Sequence, residues 1–306
     1  MKKYISFFGK RVMELLTHIS PVISGKLLYF TRIKKFPNLK KPKNFNEKTT
    51  WLKLYEYSNN ELVINGADKY MVRHYLSSKN LNNILNDLYG VYDSFDEIDF
   101  DKLPNQFVIK CNHGCAYNII CEDKSKFNKE EAKVKINKWL KEKYGKATTE
   151  MHYTKINPKI IIEKYLCDTN GKMPVDYKFY CLNGQVVGVL ICTERKFNSH
   201  IMHQNYYDIN FKELFYIKEE YRSKNKITKP KNFDKMVEYA KILSKDFPFV
   251  RVDFYNDNGK IIFGELTFTP ACCCNNKYSD VGNIELGNLL DISKNIIKYQ
   301  KNKKDK

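Results

Sequence analysis

The sequence lacks any uninterrupted run of 18 apolar residues, about the length that a membrane-spanning helix needs. Its first residues, MKKYISFFGKRVMELL, include lysines near the start, but their apolar runs are too short for a secretory signal or a span. The pattern excludes an integral membrane protein. It predicts a soluble, cytoplasmic protein, with peripheral contact at the inner membrane face as the alternative.

Acidic residues are scarce in the first part of the chain. Residues 1–53 contain 13 Lys and Arg but 2 Asp and Glu, and the net charge of the whole chain is +18. Such a basic segment favours a polyanion as partner: nucleic acid, anionic lipid headgroups or an acidic polymer. It could also lie on a membrane surface as a basic amphipathic helix. The alternative is a solvated face in a chain whose Lys, Asn and Ile excess reflects nucleotide composition.

Paired C-x₂-C spacings, a common source of zinc ligands, are absent although the chain has nine cysteines. The stretch FVIKCNHGCAYNIIC first suggests a metal site at Cys111, His113, Cys115 and Cys121. However, the first and last of these cysteines are expected on different strands of a hairpin, and the adjacent cysteines 272–274 cannot all chelate one ion without strain. The sequence therefore predicts no structural metal. Without an export signal, it predicts free thiols in a reducing compartment.

Helical and strand patterns are interleaved along a chain of 306 residues, enough for about two domains. Helices are predicted in patches over residues 1–60 and in four later segments: ADKYMVRHYLSS, NKEEAKVKINKWLKEKY, NFDKMVEYAKILSKDF and NIELGNLLDISKNIIKY. Asp68 and Asn128 are the expected caps of the first two of these segments. The acidic segment DSFDEIDFDKLPNQ is predicted to be a linker.

The predicted strands pair locally. FVIKC and NIIC flank a glycine-containing loop, PKIIIEKYL is a buried strand, and DYKFYCLNGQVVGVLICTER is a hairpin that turns at Asn183-Gly184. FVRVDFYNDNGKIIFGELTFT is a further hairpin. Antiparallel hairpins interleaved with helices predict the α+β fold class.

Lys110 lies at the end of the strand FVIKC, at the mouth of the loop NHGCAYN. A glycine-containing loop can place backbone N–H groups against a phosphate chain, and an adjacent lysine neutralises its charge. The signal gains weight from the later hairpin, where Asp253 and Glu265 both occupy odd positions. A two-residue turn would place these carboxylates on opposite faces. A three-residue turn over 257–259 would place them on one face, where their repulsion calls for a divalent cation.

The order of these motifs resembles the ATP-grasp superfamily. It comprises FVIKCNHG, IIIEKYL, VDYKFY and VRVDF…FGELTFTP. Longer segments, such as NFNEKTTWLKLY, ADKYMVRHY and FGELTFTPA, are similar to the TupA-like ATP-grasp proteins, named for teichuronopeptide synthesis and found with surface-polysaccharide genes. The resemblance covers nearly everything from residue 37 to 291. It implies two α+β subdomains that close over ATP: 93–166 with the glycine loop and 167–306 with a metal-binding hairpin, after a helical, basic region over 1–92.

The resemblance also implies roles for individual residues. Lys110 would bind the ATP phosphates, and the loop at His113 and Gly114 would close above them. The hinge against adenine would comprise Glu163, Lys164, Tyr165 and Leu166.

Further along the chain, Lys178, Arg195 and Arg251 would act on the transferring phosphoryl group. Asp253 and Glu265 would hold Mg²⁺. Thr267 stands where the superfamily usually has Asn, and its hydroxyl is a shorter, weaker oxygen ligand.

The activity implied is ATP-dependent carboxylate–amine ligation through an acyl phosphate. Its substrates would be an amine and a uronic acid of a surface polysaccharide, or of its lipid-linked precursor, in cell-wall or capsule synthesis. One alternative is a glycosyltransferase, for which Asp99-Phe100-Asp101 has the form of a D-x-D pair but no strand before it. The other alternative is a non-enzymatic protein that binds a polyanion or membrane surface through residues 1–53. Nucleic acid is the least favoured partner.

Overall fold

Two antiparallel β-sheets form the framework of the protein in a computed structural model, which describes residues 7–167, 174–193, 203–225, 227–257 and 259–304. The first sheet has the strand order β1-β4-β2-β3, with β1 Leu88–Tyr92, β2 Phe107–Cys111, β3 Asn118–Cys121 and β4 Ile160–Lys164. The second has the order β10-β9-β5-β6-β7-β8. Its strands are β5 Asp176–Leu182, β6 Gln185–Thr193, β7 His203–Tyr207, β8 Glu213–Leu214, β9 Phe249–Asp257 and β10 Lys260–Thr267.

Helices surround both sheets. The first five are α1 Phe7–Ile19, α2 Pro21–Ile33, α3 Phe45–Trp51, α4 Glu61–Ala67 and α5 Val72–Ser78. The others are α6 Lys129–Lys141, α7 Phe233–Ser244, α8 Asp280–Leu289 and α9 Ser293–Lys304. These elements confirm an α+β fold with a helical amino-terminal region. None of the described helices is long and apolar enough to cross a bilayer.

The first sheet has its own apolar core. Phe107 and Ile109 on β2 and Ile136 on α6 are fully buried there. The segment 93–106, predicted as a linker, contributes Phe95 and Phe100 to the same core, because two short 3₁₀ turns direct these rings inward. The sheet also includes β1, which precedes the expected subdomain boundary at residue 93.

The predicted hairpin at Asn183-Gly184 is confirmed. Leu182 pairs with Gln185, and both turn residues have positive φ, at 51° and 75°. The Asn183 side chain also accepts from the backbone N–H of Asp291 at 2.9 Å and donates to its carbonyl at 2.7 Å. The turn therefore fixes the segment between α8 and α9.

This segment interrupts what the sequence predicts as one closing helix. Leu290 and Ile292 are buried in the main core, and their extended connection ends α8 at Leu289. The Lys48 ammonium donates to the carbonyls of Gly287 at 2.8 Å and Leu290 at 2.7 Å, which partners two C-terminal carbonyls of α8. The prediction of a single closing helix was wrong, because burial of Leu290 and Ile292 in the core outweighs the local helical periodicity.

The hairpin β9–β10 brings Asp253 and Glu265 together differently from the prediction. Asp257 pairs with Lys260, so two residues connect the strands, and the expected three-residue turn is wrong. The register instead shifts between Phe263 and Glu265, where Gly264 is the extra residue of a β-bulge. The bulge supplies the one extra residue that allows two odd-numbered positions on opposite strands to face the same side of the hairpin. Glu265 therefore lies directly opposite Asp253, and the two share a face.

Gly287 sets the contact between α8 and α3. A Cβ at this position would lie 2.7 Å from both the Asn44 Cα and the Lys43 carbonyl oxygen, which are backbone atoms that cannot rotate away. We expect Gly287→Ala to lower the free energy of unfolding by about 1–3 kcal/mol, as overpacking does. Asn288→Ala, at the exposed next residue, is the matched control. Equal thermal midpoints for the two variants would contradict this packing.

Candidate active site

A cleft of about 410 Å³ lies between the two sheets. Charged side chains line it from the side of α5 and the first sheet: Lys69, Arg73, Lys110 and Glu163. The second sheet contributes Asp176, Lys178, Asp253 and Glu265. Strands of both sheets, together with α5 and the residues just before it, thus bring four cations and four carboxylates to one cavity.

Lys110 and Glu163 form the centre of the first side. They lie on the neighbouring strands β2 and β4, and the Lys110 Nζ is 2.6 Å from the Glu163 carboxylate. Arg73 on α5 reaches the other oxygen of this carboxylate at 3.3 Å. Burial by itself lowers the pKa of the Lys110 ammonium, but the charge and hydrogen bond of Glu163, together with the nearby Tyr255 and Glu265, outweigh burial and raise that pKa. Lys110 therefore remains charged at neutral pH.

Lys178 forms the centre of the second side. It lies on β5, and its Nζ is 2.6 Å from both Asp176 and Asp253. Burial by itself lowers the pKa of Lys178, but the two carboxylates outweigh burial and raise it. One ammonium thus partly neutralises two buried carboxylates.

Arg251 links the carboxylates of the β9–β10 hairpin. Its Nε and Nη2 donate to the two oxygens of Asp253 at 2.7 Å each, and Nη2 also reaches Glu265 at 3.4 Å. The hydroxyl of Thr267 accepts from Arg251 at 2.9 Å and donates to Glu265 at 2.9 Å. Burial raises the pKa of Asp253, but Arg251 and Lys178 outweigh it and hold that pKa below its usual range.

Asp253 and Glu265 present the carboxylate oxygens that Mg²⁺ prefers, and in this structure the Asp253 oxygens are bonded to Arg251 and Lys178, which a bound ion would have to displace in part. This ion is usually bound through one or two carboxylates together with water and substrate phosphates. Across the described residues, no group of three or more His, Cys, Asp or Glu is arranged to hold a metal ion. The protein would therefore offer two carboxylates, with the Thr267 hydroxyl beside them, and leave other positions to phosphate oxygens.

The loop between β2 and β3 lines the cleft with residues that follow the predicted His113 and Gly114. Cys115, Ala116 and Tyr117 line the cavity, as does Asn118 at the start of β3. His113 instead lies buried on the other side, where its Nε2 donates to the Trp139 carbonyl at 3.0 Å. The expected contact of His113 with phosphate is therefore not part of this geometry.

Gly114 has a packing role in this loop. A Cβ there would lie 2.8 Å from the Tyr117 ring and 3.0 Å from that of Tyr144. Its carbonyl accepts a hydrogen bond from the Lys69 ammonium, which joins the loop to the segment before α5.

The four predicted hinge residues do not all face the cleft. Leu166 and the Glu163 side chain line the cleft. Lys164 is exposed and lies 3.7 Å from Asp87, while the Tyr165 hydroxyl donates to Glu122 at 3.2 Å. Arg195, the remaining predicted residue, lies outside the described residues.

The segment after β10 has three successive non-glycine residues in the left-handed region. Ala271, Cys272 and Cys273 have φ values of 49°, 57° and 63°, a conformation that costs about 1–3 kcal/mol per residue. Side chains of the amino-terminal region hold it: Arg32 donates to the Ala271 carbonyl at 3.0 Å and Lys53 to that of Cys272 at 2.9 Å. Two of the three adjacent cysteines, Cys272 and Cys273, thus belong to a strained backbone segment.

The cysteines of the opening stretch do not converge on one point. Cys111 and Cys121 are buried in the core of the first sheet, whereas Cys115 is exposed in the cleft loop. Each of the chain's nine cysteines is a free thiol.

Sequence reasoning missed Lys69, Arg73 and Asp176 as cleft residues. The first two come from ADKYMVRHY, where basic residues four apart lie on one side of a helical turn. Asp176 begins the Asp-x-Lys pattern of VDYKFY, whose lysine was predicted, and alternation along β5 places both on one face.

Antiparallel sheets that present a lysine–glutamate pair and paired carboxylates to one cleft are the arrangement expected of ATP-grasp enzymes. A family model described as TupA-like ATPgrasp matches residues 47–291, and the chain belongs to this family. The match confirms the family resemblance and, with it, an ATP-grasp enzyme of the carboxylate–amine ligase class.

Solved structures with a similar fold include D-alanine–D-alanine ligase from Bacillus anthracis, at 14% identity and a TM-score of 0.45 over 85% of this chain and 73% of that one. An L-amino acid ligase from Bacillus licheniformis has 12% identity and a TM-score of 0.47, over 75% of this chain and 51% of that one. At these TM-scores the likenesses carry no argument about function. No curated protein matches the chain in sequence.

The depressed pKa of Asp253 predicts a pH-dependent contribution to stability. The ionised carboxylate stabilises the fold above its unfolded pKa of about 3.9, and this stabilisation disappears as pH falls through the lower folded value. We expect Asp253→Asn to lose about 3–5 kcal/mol at pH 7, because it leaves buried cations without their partner. The gap in thermal midpoint between wild type and variant should narrow below about pH 4. A gap independent of pH would contradict this reading.

Proposed function

We propose that the protein joins a carboxylate to an amine at the expense of ATP. The substrate carboxylate attacks the γ-phosphorus, which forms an acyl phosphate and releases ADP. The amine then attacks the acyl carbon, which forms the amide and releases phosphate, and the amine loses a proton. One observation carries the proposal: Lys110–Glu163 on one sheet and the Lys178–Asp253–Arg251 cluster on the other line or directly adjoin a single cleft.

Within this proposal the side chains have distinct tasks. Lys110 and Lys178 hold positive charge at positions where phosphate oxygens can replace their carboxylate partners. Asp253 and Glu265 would hold Mg²⁺, which neutralises charge on the phosphates when it is bound. Arg251 keeps Asp253 ionised and oriented. Arg195 is retained as a proposed phosphate contact on the resemblance alone.

We further propose that the carboxylate belongs to a uronic acid of a surface polysaccharide or its lipid-linked precursor, and that the protein acts in the cytoplasm. The resemblance supports this substrate, and the free thiols and the use of ATP support this location. ADP release, screened across uronic acids and amines, tests the substrate directly. ADP release dependent on other carboxylates alone would refute the uronic acid but not the ligase.

A glycosyltransferase is disfavoured by the placement of its candidate motif. Asp99 and Asp101 lie on an exposed 3₁₀ turn, where the Asp99 carboxylate accepts from the backbone of Asp101 at 3.1 Å. Neither residue lines the cleft.

Lys110→Ala should lower the rate of ADP release by about 10² to 10³, because it removes a positioned charge from the transferring phosphoryl group. Lys159→Ala is the control: the Lys159 ammonium is also 2.6 Å from a carboxylate, that of Asp93, but this lysine does not line the cleft. Thermal midpoints of both variants show whether the fold is retained. Unchanged ADP release by Lys110→Ala would refute its role at the phosphates.

Asp253→Asn and Glu265→Gln should raise the Mg²⁺ concentration needed for half-maximal ADP release by about tenfold or more, or abolish turnover. Thr267→Asn should retain activity and lower that concentration, because an amide carbonyl reaches further and binds a hard cation better than a hydroxyl. Asp246→Asn, whose carboxylate pairs with Lys79 away from the cleft, is the control. The Mg²⁺ assignment fails if titrations of the two carboxylate variants match that of wild type.

A further inference from the structure

The side of helix α1 that faces the protein is partly polar, with Met13 and Leu16 half-buried beside the polar residues. Thr17 is buried, and its hydroxyl donates to Ser24 on α2 at 2.7 Å. Lys10 bonds the Glu142 carboxylate at 3.2 Å, just past the end of α6. The inner side of α1 is thus held partly by polar contacts, although amphipathic helices of globular proteins normally bury their apolar side.

The outer side of α1 is apolar. Phe8, Leu15 and Ile19 are between 68% and 78% exposed, and Val12 is exposed with them. Their spacing of four, three and four residues places all four on one stripe along the helix. Large apolar side chains aligned on one exposed face mark an interaction site rather than scattered surface residues. We call these four residues the α1 stripe.

Exposed basic side chains occur on α1 and along the chain that follows it. Arg11 on α1, Lys26 on α2 and the following Lys34 and Lys35 are exposed. Glu14 is the sole acidic residue among residues 1–46. A second copy of the chain docked here would face the same excess of positive charge, which disfavours self-association. An apolar stripe within a strongly basic stretch of chain instead complements an anionic bilayer surface.

We propose that the α1 stripe docks the protein on anionic membranes. Helix α1 lies in the plane of the surface, with the stripe at the boundary of headgroups and acyl chains and the basic residues among anionic headgroups. This proposal does not depend on the reaction proposed above. The Lys10–Glu142 contact and the 2.8 Å bond from the Tyr117 hydroxyl to Glu142 connect α1 to the cleft loop.

The test is sedimentation of the full chain with vesicles of phosphatidylcholine and phosphatidylglycerol, against vesicles of phosphatidylcholine alone. Leu15→Glu/Ile19→Glu should lower binding to the anionic vesicles by at least about tenfold, since it removes two apolar side chains from the contact. Val281→Glu/Ile284→Glu, which makes the same change at exposed apolar residues of α8, should bind as wild type does.

A second pair of variants tests the charge. Arg11→Gln/Lys26→Gln should weaken binding to the anionic vesicles about tenfold, and added salt should weaken the wild type. Lys298→Gln/Lys301→Gln, at exposed lysines of α9, is the control and should change binding much less. Equal effects of both charge variants would attribute binding to net charge and overturn the α1 assignment.

Two further outcomes would also overturn the proposal. The first is a wild type that binds neither type of vesicle. The second is concentration-dependent self-association that Leu15→Glu/Ile19→Glu abolishes, which would assign the stripe to a second copy. ATP binding by all variants, followed by nucleotide fluorescence, should stay unchanged, and its loss in the α1 variants alone would show that the stripe supports the cleft instead. If the glutamate variant does not fold, the charge variants and the salt dependence decide.

Discussion

Burial of Asp253 between Arg251 and Lys178 is the interaction on which the second side of the cleft depends. An unpaired carboxylate in this position would be strongly destabilising, since desolvation of a charge costs several kcal/mol. Arg251, on the same strand as Asp253, donates to both carboxylate oxygens, and Lys178 on the neighbouring strand donates to one of them. The cluster therefore requires β5 and β9 to pair in the observed register, and this register also places Asp176 at the cleft.

Features encoded in a few neighbouring residues could be predicted from the sequence. The Asn183-Gly184 turn is one, because its positive φ angles demand those residue types. Asn128 is another, since its side chain caps α6 by accepting from Glu131. Asp68 was predicted to cap a helix and does accept from Tyr70 and Met71, but regular helix begins later, at Val72.

Features that depend on distant contacts were not predictable. The bulge at Gly264 brings the two carboxylates to one face. A glycine inside a strand pattern can mark a bulge, but it does not by itself exclude a regular strand after a longer turn. Arg73 meets Glu163 across 90 residues, and His113 turns inward because Trp139 offers a carbonyl. The order of the motifs predicted Lys110, Lys178, Asp253 and Glu265 as site residues, and all four line the cleft. The motifs did not indicate the side-chain directions of His113 and Tyr165.

The amino-terminal region supplies most of the net positive charge and also supports the structure of the second sheet's surroundings. Arg32 and Lys53 bond the carbonyls of a strained backbone segment that directly follows the β9–β10 hairpin. Because those carbonyls accept bonds from charged groups, the left-handed conformation is maintained by residues more than two hundred positions earlier. Separation of this region from the second sheet would leave the segment without its support.

The β9–β10 hairpin also has a consequence for the order of folding. Its strands are adjacent in sequence, so they can pair early, whereas the bond between Lys178 and Asp253 closes a loop of 75 residues. During that interval Asp253 and Glu265 would repel each other if they were alone on the hairpin face. Arg251 and Thr267 lie on the same two strands; Arg251 contacts both carboxylates, and Thr267 donates to Glu265. The hairpin thus carries its own counter-charge and can form before its partner strand arrives.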